Sequence, residues 1–453
     1  MRKTMGIAII MLFTIMLCAS SVQAKVSAEE AARLGKDLTP MGGEMAGNAD
    51  GTIPPWTGGI TQPPANYKPG DHHPDPFADD KVLFKITKAN MAKYADKLTE
   101  GHKALLAADE NYYLNVYPTR RSASAPQRIY DATKKNALTA TLTPDGNGIN
   151  AAVGIPFPIP KNGLEAIWNH LVHYRGNYVE RNFVFAPVTR GGSYNLGREN
   201  TKVRWQYSLP GMTIEKMNNV ILYFKQYLTA PPRVAGRLLI VHDTLDQSRE
   251  PRRAWTYNPG QRRVRRAPQV AFDTPGTGSD GLRTIDDYEM YNGSPERYTW
   301  KLVGKKEMYI PYNCYKLHSG KLKYKDIIRP QHYNPELLRY ELHRVWVVEA
   351  NLKKGTRHIY KKRVFYLDED SWGVVATDKY DNHDKLWRFA EAFIINYYDV
   401  PCTWSTSEVH YDLPSGRYLF YFLDNEEKTT YDFSKVFPIE EFSISSLRRS
   451  GRR

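Results

Sequence analysis

Hydrophobic spacing divides the chain into three stretches of different character. In residues 88–109, KANMAKYADKLTEGHKALLAAD, the side chains Met91, Tyr94, Ala95, Leu98, His102 and Leu105 recur at three- and four-residue steps. That spacing predicts a helix with one buried stripe, and His102 lies within it as a packed histidine. A second helix is predicted over 161–176, with Leu164, Ile167, Trp168 and Leu171 as its apolar face and Gly176 as its stop. The prolines at 156, 158 and 160 hold the preceding GIPFPIP extended.

After residue 177 the period shortens. NVILYFKQYL, GRLLIVHDTL, YELHRVWVVEANL and TRHIYKKRVFYLDED are dense in β-branched and aromatic residues and are separated by turn formers. In YELHRVWVVEANL one face carries Leu342, Arg344, Trp346, Val348 and Ala350, and the other His343, Val345, Val347 and Glu349. Each face is mostly apolar yet holds a charge. This predicts a strongly curved antiparallel sheet, one face packed and the other partly wet. The stretches AWTYNPGQRRVRRAP (254–268) and RVFYLDEDSWGVVATD (363–378) both turn on Asx chemistry, at Asn258-Pro259-Gly260 and at Asp368-Glu369-Asp370. They read as hairpins of a meander built with the same device.

The N-terminal end differs again. Arg2 and Lys3 precede a nearly continuous apolar run from Met5 to Ala19, and Val22-Gln23-Ala24 offers small residues for cleavage. This predicts a secretory signal peptide over residues 1–24. Cys18 follows Leu17, which is too large for a lipoprotein signal. From Gly42 to Pro76 the chain is rich in Gly, Pro, Asn and Asp, with Trp56, Ile60 and Tyr67 as isolated apolar anchors. Residues 25–87 are therefore expected to form an irregular arm over the body, with the remainder, 88–453, as a helix-covered curved sheet. The fold class is α+β, mainly antiparallel β: a strongly curved half-barrel sheet closed by a few helices.

Without Arg2 and Lys3 the formal charge falls from +14 to +12, which suits acidic partners or anionic headgroups as well as plain solubility. Cys314 and Cys402 remain after processing, and their spacing leaves a disulfide open. No catalytic, phosphate-loop, dinucleotide or metal signature occurs, so no cofactor is expected. The densest metal-like group, Asp71-His72-His73-Pro74-Asp75, reads as a solvated turn, and His170 with His173 as a solvated helix face. His242 or His170 would be the base if the protein were a hydrolase acting on a hydrophobic envelope substrate. Arg262, Arg263, Arg265 and Arg266 lie beside Trp255 and Tyr257 in one hairpin, which suits an acidic amphiphile or a protein interface. Edge protection of a strand explains those arginines equally well. Trp346 and Trp372 complete the expected set of ligand or partner contacts.

The stretches DLTPMGGEMAGNADGTIPPWTGGI, NVYPTRRSAS, GIPFPIPKNGLEAIWNH, YNPGQRRVRRAPQVAFDTPGTGSDGLRT and VFYLDEDSWGVV resemble a family of proteobacterial exported proteins. That family is grouped with the outer-membrane lipoprotein-sorting proteins of the LolA and LolB type. The resemblance covers nearly the whole mature chain. It implies a bent half-open sheet with an apolar cavity for acyl chains, and a periplasmic carrier of a lipid or other hydrophobic compound. It also implies work beside a resistance–nodulation–division exporter and an outer-membrane protein, possibilities that include a purely structural partnership. It assigns no catalytic residue.

Overall fold

The computed structural model describes residues 26–267 and 272–451; the expected signal peptide, with Cys18, lies outside the described residues. Short strands β1 (Phe84–Ile86) and β2 (Leu114–Val116) come first. A first meander follows: β3 (Tyr178–Val188), β4 (Gly197–Arg204), β5 (Val220–Ala230), β6 (Leu238–Thr244), β7 (Arg253–Asn258) and β8 (Arg263–Arg266). A second runs through β9 (Tyr298–Pro311), β10 (Tyr340–Leu352), β11 (Lys362–Asp368), β12 (Val374–Tyr380) and β13 (Leu386–Tyr397). It ends with β14 (Cys402–Asp412) and β15 (Arg417–Leu423), and β16 (Tyr431–Asp432) is a two-residue addition to β3. Antiparallel pairing of β15 with β3 joins the two meanders into one 16-stranded sheet. The single parallel step is Tyr340 of β10 beside Val116 of β2. Edges remain at β8 and at β9 with the β1–β2 pair, so the sheet is open.

Its curvature follows from one comparison. Strands β5 and β11 are seven steps apart in the sheet order, which on a flat sheet is about 34 Å. Yet Phe224 of β5 packs on Tyr288 at 5.8 Å between ring centroids, and Arg363 of β11 reaches Asp286 at 2.6 Å. Asp286 and Tyr288 are two residues apart, so the sheet wraps around the segment that carries them. Register shifts within seven of the strand pairings supply the bends.

The first four α-helices in chain order are α1 (Ala28–Ala31), α2 (Glu100–Ala108), α3 (Gln127–Thr139) and α4 (Gly163–Val172). The first expected helix breaks in two. Met91–Lys97 is a 3-10 helix, Leu98 is extended, and the Thr99 hydroxyl caps α2 by accepting from the His102 amide at 3.0 Å. Asp378 then accepts the Glu100 and Gly101 amides, which places the helix end directly on β12. Gly101 is required there, since a Cβ would lie 2.0 Å from the Phe389 ring. Helix α4 is capped by Asn162 and stops at Val172, short of Gly176. Helix α3 was not signalled by the sequence, because its buried stripe of Ile129, Thr133, Asn136 and Ala137 is half polar.

Of the arm expected over 25–87, Ala28–Ala31 is helical and Phe84–Ile86 a strand; residues 32–83 between them hold no helix or strand beyond isolated bridges and are pinned to the body. Trp56 Nε1 donates to Ala123 O at 2.9 Å, Ile60 N to Ser122 O at 2.9 Å, and Tyr67 Oη to Asp399 at 3.0 Å.

The two hairpins do share a device. Arg262 N donates to Asn258 O and Trp372 N to Asp368 O, both at 2.9 Å, and both donor residues have positive φ, 52° and 65°. A third copy turns β14 into β15: Gly416, φ 64°, donates to Asp412 O at 3.0 Å. An Asx residue followed four positions later by a left-handed residue thus closes three corners.

The partly wet face expected from β10 is corrected for that strand, which is buried on both faces from Tyr340 to Val348 except at Trp346, while β4 and β9 do carry partly exposed positions along their length. Strands β13 and β14 are buried along nearly their whole length on both faces. Glu391 of β13 pairs with His102 of α2 and Arg388 of β13 with Asp412 of β14, whereas Glu408 of β14 has no cationic partner among the described residues and is raised by burial instead.

Candidate functional site

A pocket opens between β4–β6 and the segment 277–292, which crosses the inner face of the sheet. Strand alternation builds its wall: Val203 of β4, Leu222 and Phe224 of β5, Leu239 and Val241 of β6 all face inward. Trp205, Ile285, Tyr288 and Tyr421 close it, so its walls are overwhelmingly apolar. The unfilled room is about 70 Å3, compared with roughly 150 Å3 for an apolar cavity that takes benzene. The wide acyl cavity that the resemblance implies is therefore largely filled by the crossing segment.

Four charged groups line this pocket: Asp243, Arg252, Arg283 and Glu289. Three are paired. Arg252 grips Asp243 through Nε at 3.0 Å and Nη2 at 2.6 Å, and Glu289 takes Arg175 at 2.5 Å and Arg181 at 3.4 Å. Arg283 forms no ion pair among the described residues. Its guanidinium lies 4.8 Å from the Tyr421 ring centroid and 5.2 Å from that of Tyr288, 3% exposed, with one long bond to Thr284 O at 3.4 Å.

Deeper in, the same segment makes the dense ionic contacts that hold it. Asp286 meets Arg363 at 2.6 Å and His358 at 3.1 Å, and Asp287 meets Lys379 at 3.0 Å. Burial pulls the Lys379 ammonium down to about 8 although Asp287 supports it. Burial would raise the Asp287 carboxyl, but Lys379 and Arg363 hold it far below the carboxylate range. Burial also pushes Glu408 of β14 up to about 8 and Glu199 of β4 up to about 7.

The histidines differ from the sequence reading. His170 and His173 are not on a solvated face: they stack at 5.1 Å and are 2% and 4% exposed. The Val374 amide donates to His170 Nδ1 at 3.1 Å, so its proton sits on Nε2 and goes to Tyr291 O at 3.0 Å. Burial and the Arg175 charge take His170 down to about 3. His242 Nε2 bonds Phe442 O at 2.8 Å. Neither His170 nor His242 hydrogen-bonds a hydroxyl or carboxylate among the described residues, so no acid–base pair with a nucleophile forms at either. His72 and His73 are not a solvated turn: His73 is buried, donates to Asp399 at 2.9 Å and packs between Tyr67, Tyr397 and Tyr398. Cys314 and Cys402 are both buried free thiols.

The expected contact residues fall into separate places. Trp255 and Tyr257 point to the outer face of β7, against Phe437, Phe442 and Leu447, opposite to the pocket. Arg262, Arg263, Arg265 and Arg266 are exposed along the edge strand β8 and its turn, without ion pairs among the described residues. Trp346 and Trp372 stack at 6.0 Å in the other meander, where Trp372 Nε1 donates to Met41 O of the arm at 2.8 Å.

Beside them the acidic turn after β11 is buried, not exposed. Arg121 holds Asp370 bidentately at 2.8 and 2.6 Å, while Lys305, Arg344 and Arg121 surround Glu369. His343, Asp368 and Asp370 bring ligand atoms within 4.8 Å of one another. With Arg121 on Asp370, and Asp368 pushed up to about 7 by burial and by Asp370, this cluster acts as the anchor for the arm. Sequence reasoning missed Arg283, Glu289, Glu408 and Arg121, because none sits in a motif. Only Glu408 lies in a strand, where a charge among strand-forming residues is a cue; Arg121, Arg283 and Glu289 lie in irregular segments and left none.

The family model described as a protein of unknown function, DUF1329, matches residues 85–448. An uncharacterized protein of Pseudomonas aeruginosa is 50% identical over 439 residues, which is 96% of either chain. Among solved structures, the chain is similar to a putative outer membrane lipoprotein-sorting protein domain from Vibrio parahaemolyticus. That match has 14% identity and a TM-score of 0.43, and covers 63% of this chain and 98% of that one. A DUF1329 family protein from Desulfovibrio piger matches at 14% identity and a TM-score of 0.41, over 60% and 92% of the two chains.

Proposed function

The chain belongs to the DUF1329 family, and from that premise we propose that it is an exported binding protein for a lipid or other hydrophobic compound. The observation that carries this reading is the pocket between β4–β6 and segment 277–292. A larger hollow of about 670 Å3 lies between α3 and residues 210–215, but Arg128, Lys135, Asn136 and Glu215 line it, whereas the β4–β6 pocket presents one continuous apolar wall with room in front of it. Burying a chain there is worth about 0.8 kcal/mol per methylene. The present room admits a chain end or a small group; a longer chain requires the crossing segment to shift against the Asp286–Arg363 and Asp287–Lys379 pairs that hold it.

Export is supported by the apolar run at the N-terminus and its small-residue end. No helix among the described residues is long and apolar enough to cross a membrane. Release into the periplasm, and a role beside an exporter and an outer-membrane protein, complete the proposal. The exposed arginines of β8 and its turn are its proposed contact with anionic envelope surfaces.

Titration with a naphthylamine-type apolar fluorophore tests the pocket. The wild-type protein is expected to bind it, and Val241→Glu, which places a carboxylate on the wall, is expected to weaken binding at least tenfold. Equal binding by both proteins would overturn the assignment.

A further inference from the structure

A buried guanidinium without a carboxylate is costly, because desolvation is not repaid by a nearby opposite charge. Most buried arginines here are repaid: Arg121, Arg175, Arg181, Arg339, Arg344, Arg363 and Arg388 each meet an acidic group. Arg283 is equally buried and is not, and its Nε has no hydrogen-bond partner among the described residues. None of the undescribed residues is an Asp or a Glu.

We propose that Arg283 receives the anionic head, a carboxylate or phosphate monoester, of an amphiphile whose apolar part lies along the β4–β6 wall. Resting on the pocket reading, this names the ligand class. Three observations converge on it. The guanidinium lines the pocket between the Tyr288 and Tyr421 rings, which leave its plane oriented and its fork available. Gly276 lets it lie flat against the backbone, since a Cβ there would come within 2.8 Å of Nη2. The other three charged groups of the pocket already have partners, so neither carboxylate that lines it pairs with Arg283. The carboxylates that act on Arg283 through space, Glu199 and Glu408, are both raised by burial, which leaves its charge only partly compensated.

The test uses the full-length mature protein and three matched probes, octanoate, octyl phosphate and octanol, followed by calorimetry and by the change in total tryptophan fluorescence, to which the pocket residue Trp205 contributes, at neutral pH. Wild type is expected to bind one or both anions at least tenfold more tightly than octanol, and the better anion identifies the head. Arg283→Met is expected to bring the anions to the octanol level while octanol binding stays within twofold. It is also expected to melt no lower than wild type, since it removes an unpaired buried charge. Octanol bound as tightly as both anions by wild type would overturn the Arg283 assignment and leave the pocket reading standing. Equal loss of all three probes in a folded Arg283→Met would do the same. Failure of wild type to bind any of the three would overturn both.

Discussion

Glu408→Gln is the sharpest probe of the buried charge that surrounds the pocket. Glu408 is 2% exposed on β14 and accepts one hydrogen bond, from Ser405 Oγ at 3.2 Å. Its nearest basic neighbour, His410 at 3.7 Å, is held neutral by burial and by Lys379. Burial, with the Glu289 charge adding to it, moves the Glu408 carboxyl from 4.5 to about 8. At about 1.4 kcal/mol per pH unit, the ionised form costs the fold about 3–5 kcal/mol. The sign follows from proton counting. Below about 4.5 the folded and unfolded chains both hold the proton, and no cost is felt. Between about 4.5 and 8 the folded chain binds more protons than the unfolded one, so this contribution falls as pH rises, and it levels off above 8. Gln imitates the protonated carboxyl. Urea unfolding should therefore find Glu408→Gln within about 1 kcal/mol of wild type at pH 5, and about 3–5 kcal/mol more stable at pH 9. A stability difference that is the same at both pH values would refute the buried, unpaired carboxyl.

Three further outcomes follow from the fold. Gly101→Ala should destabilise by about 2–3 kcal/mol in urea unfolding, because its methyl would collide with the buried Phe389 ring at 2.0 Å. Arg121→Met leaves Asp370 buried without a cation, and should cost about 3–5 kcal/mol and expose residues 41–60 to limited proteolysis. Cosedimentation with vesicles of phosphatidylglycerol and phosphatidylethanolamine should fall steeply with salt and be lost in Arg263→Glu/Arg265→Glu; binding that ignores salt would contradict the arginine-edge contact.

The parts of this fold legible in sequence were those set by local chemistry. Strand composition located β5, β6, β10 and β11, and Asn258 and Asp368 marked two corners of the meander. The corner at Asp412 uses the same device and went unread, because the Leu413-Pro414-Ser415 between its two ends does not resemble the other turns. The break at Leu98 was hidden because an unbroken apolar stripe scores the same for one helix or two. The site was least legible. Whether Arg344 inside a strand means a wet face or a buried pair depends on what lies opposite, and its partners Glu369 and Ala46 are 25 and 298 residues away in the chain. The segment RTIDDYEMYN carries no hydrophobic period and fills the hollow, while Trp255 and Tyr257, read as ligand contacts, pair with Ile240 and Leu238 and so pack on the far side of the sheet.

Native mass spectrometry of the protein released gently from its own envelope reads the central claim most directly. The account predicts a bound species of small, discrete mass that carries an acidic head, and that is lost in Val241→Glu. Protein that emerges bare from wild-type envelopes, and stays bare after incubation with envelope lipid extract, would contradict it.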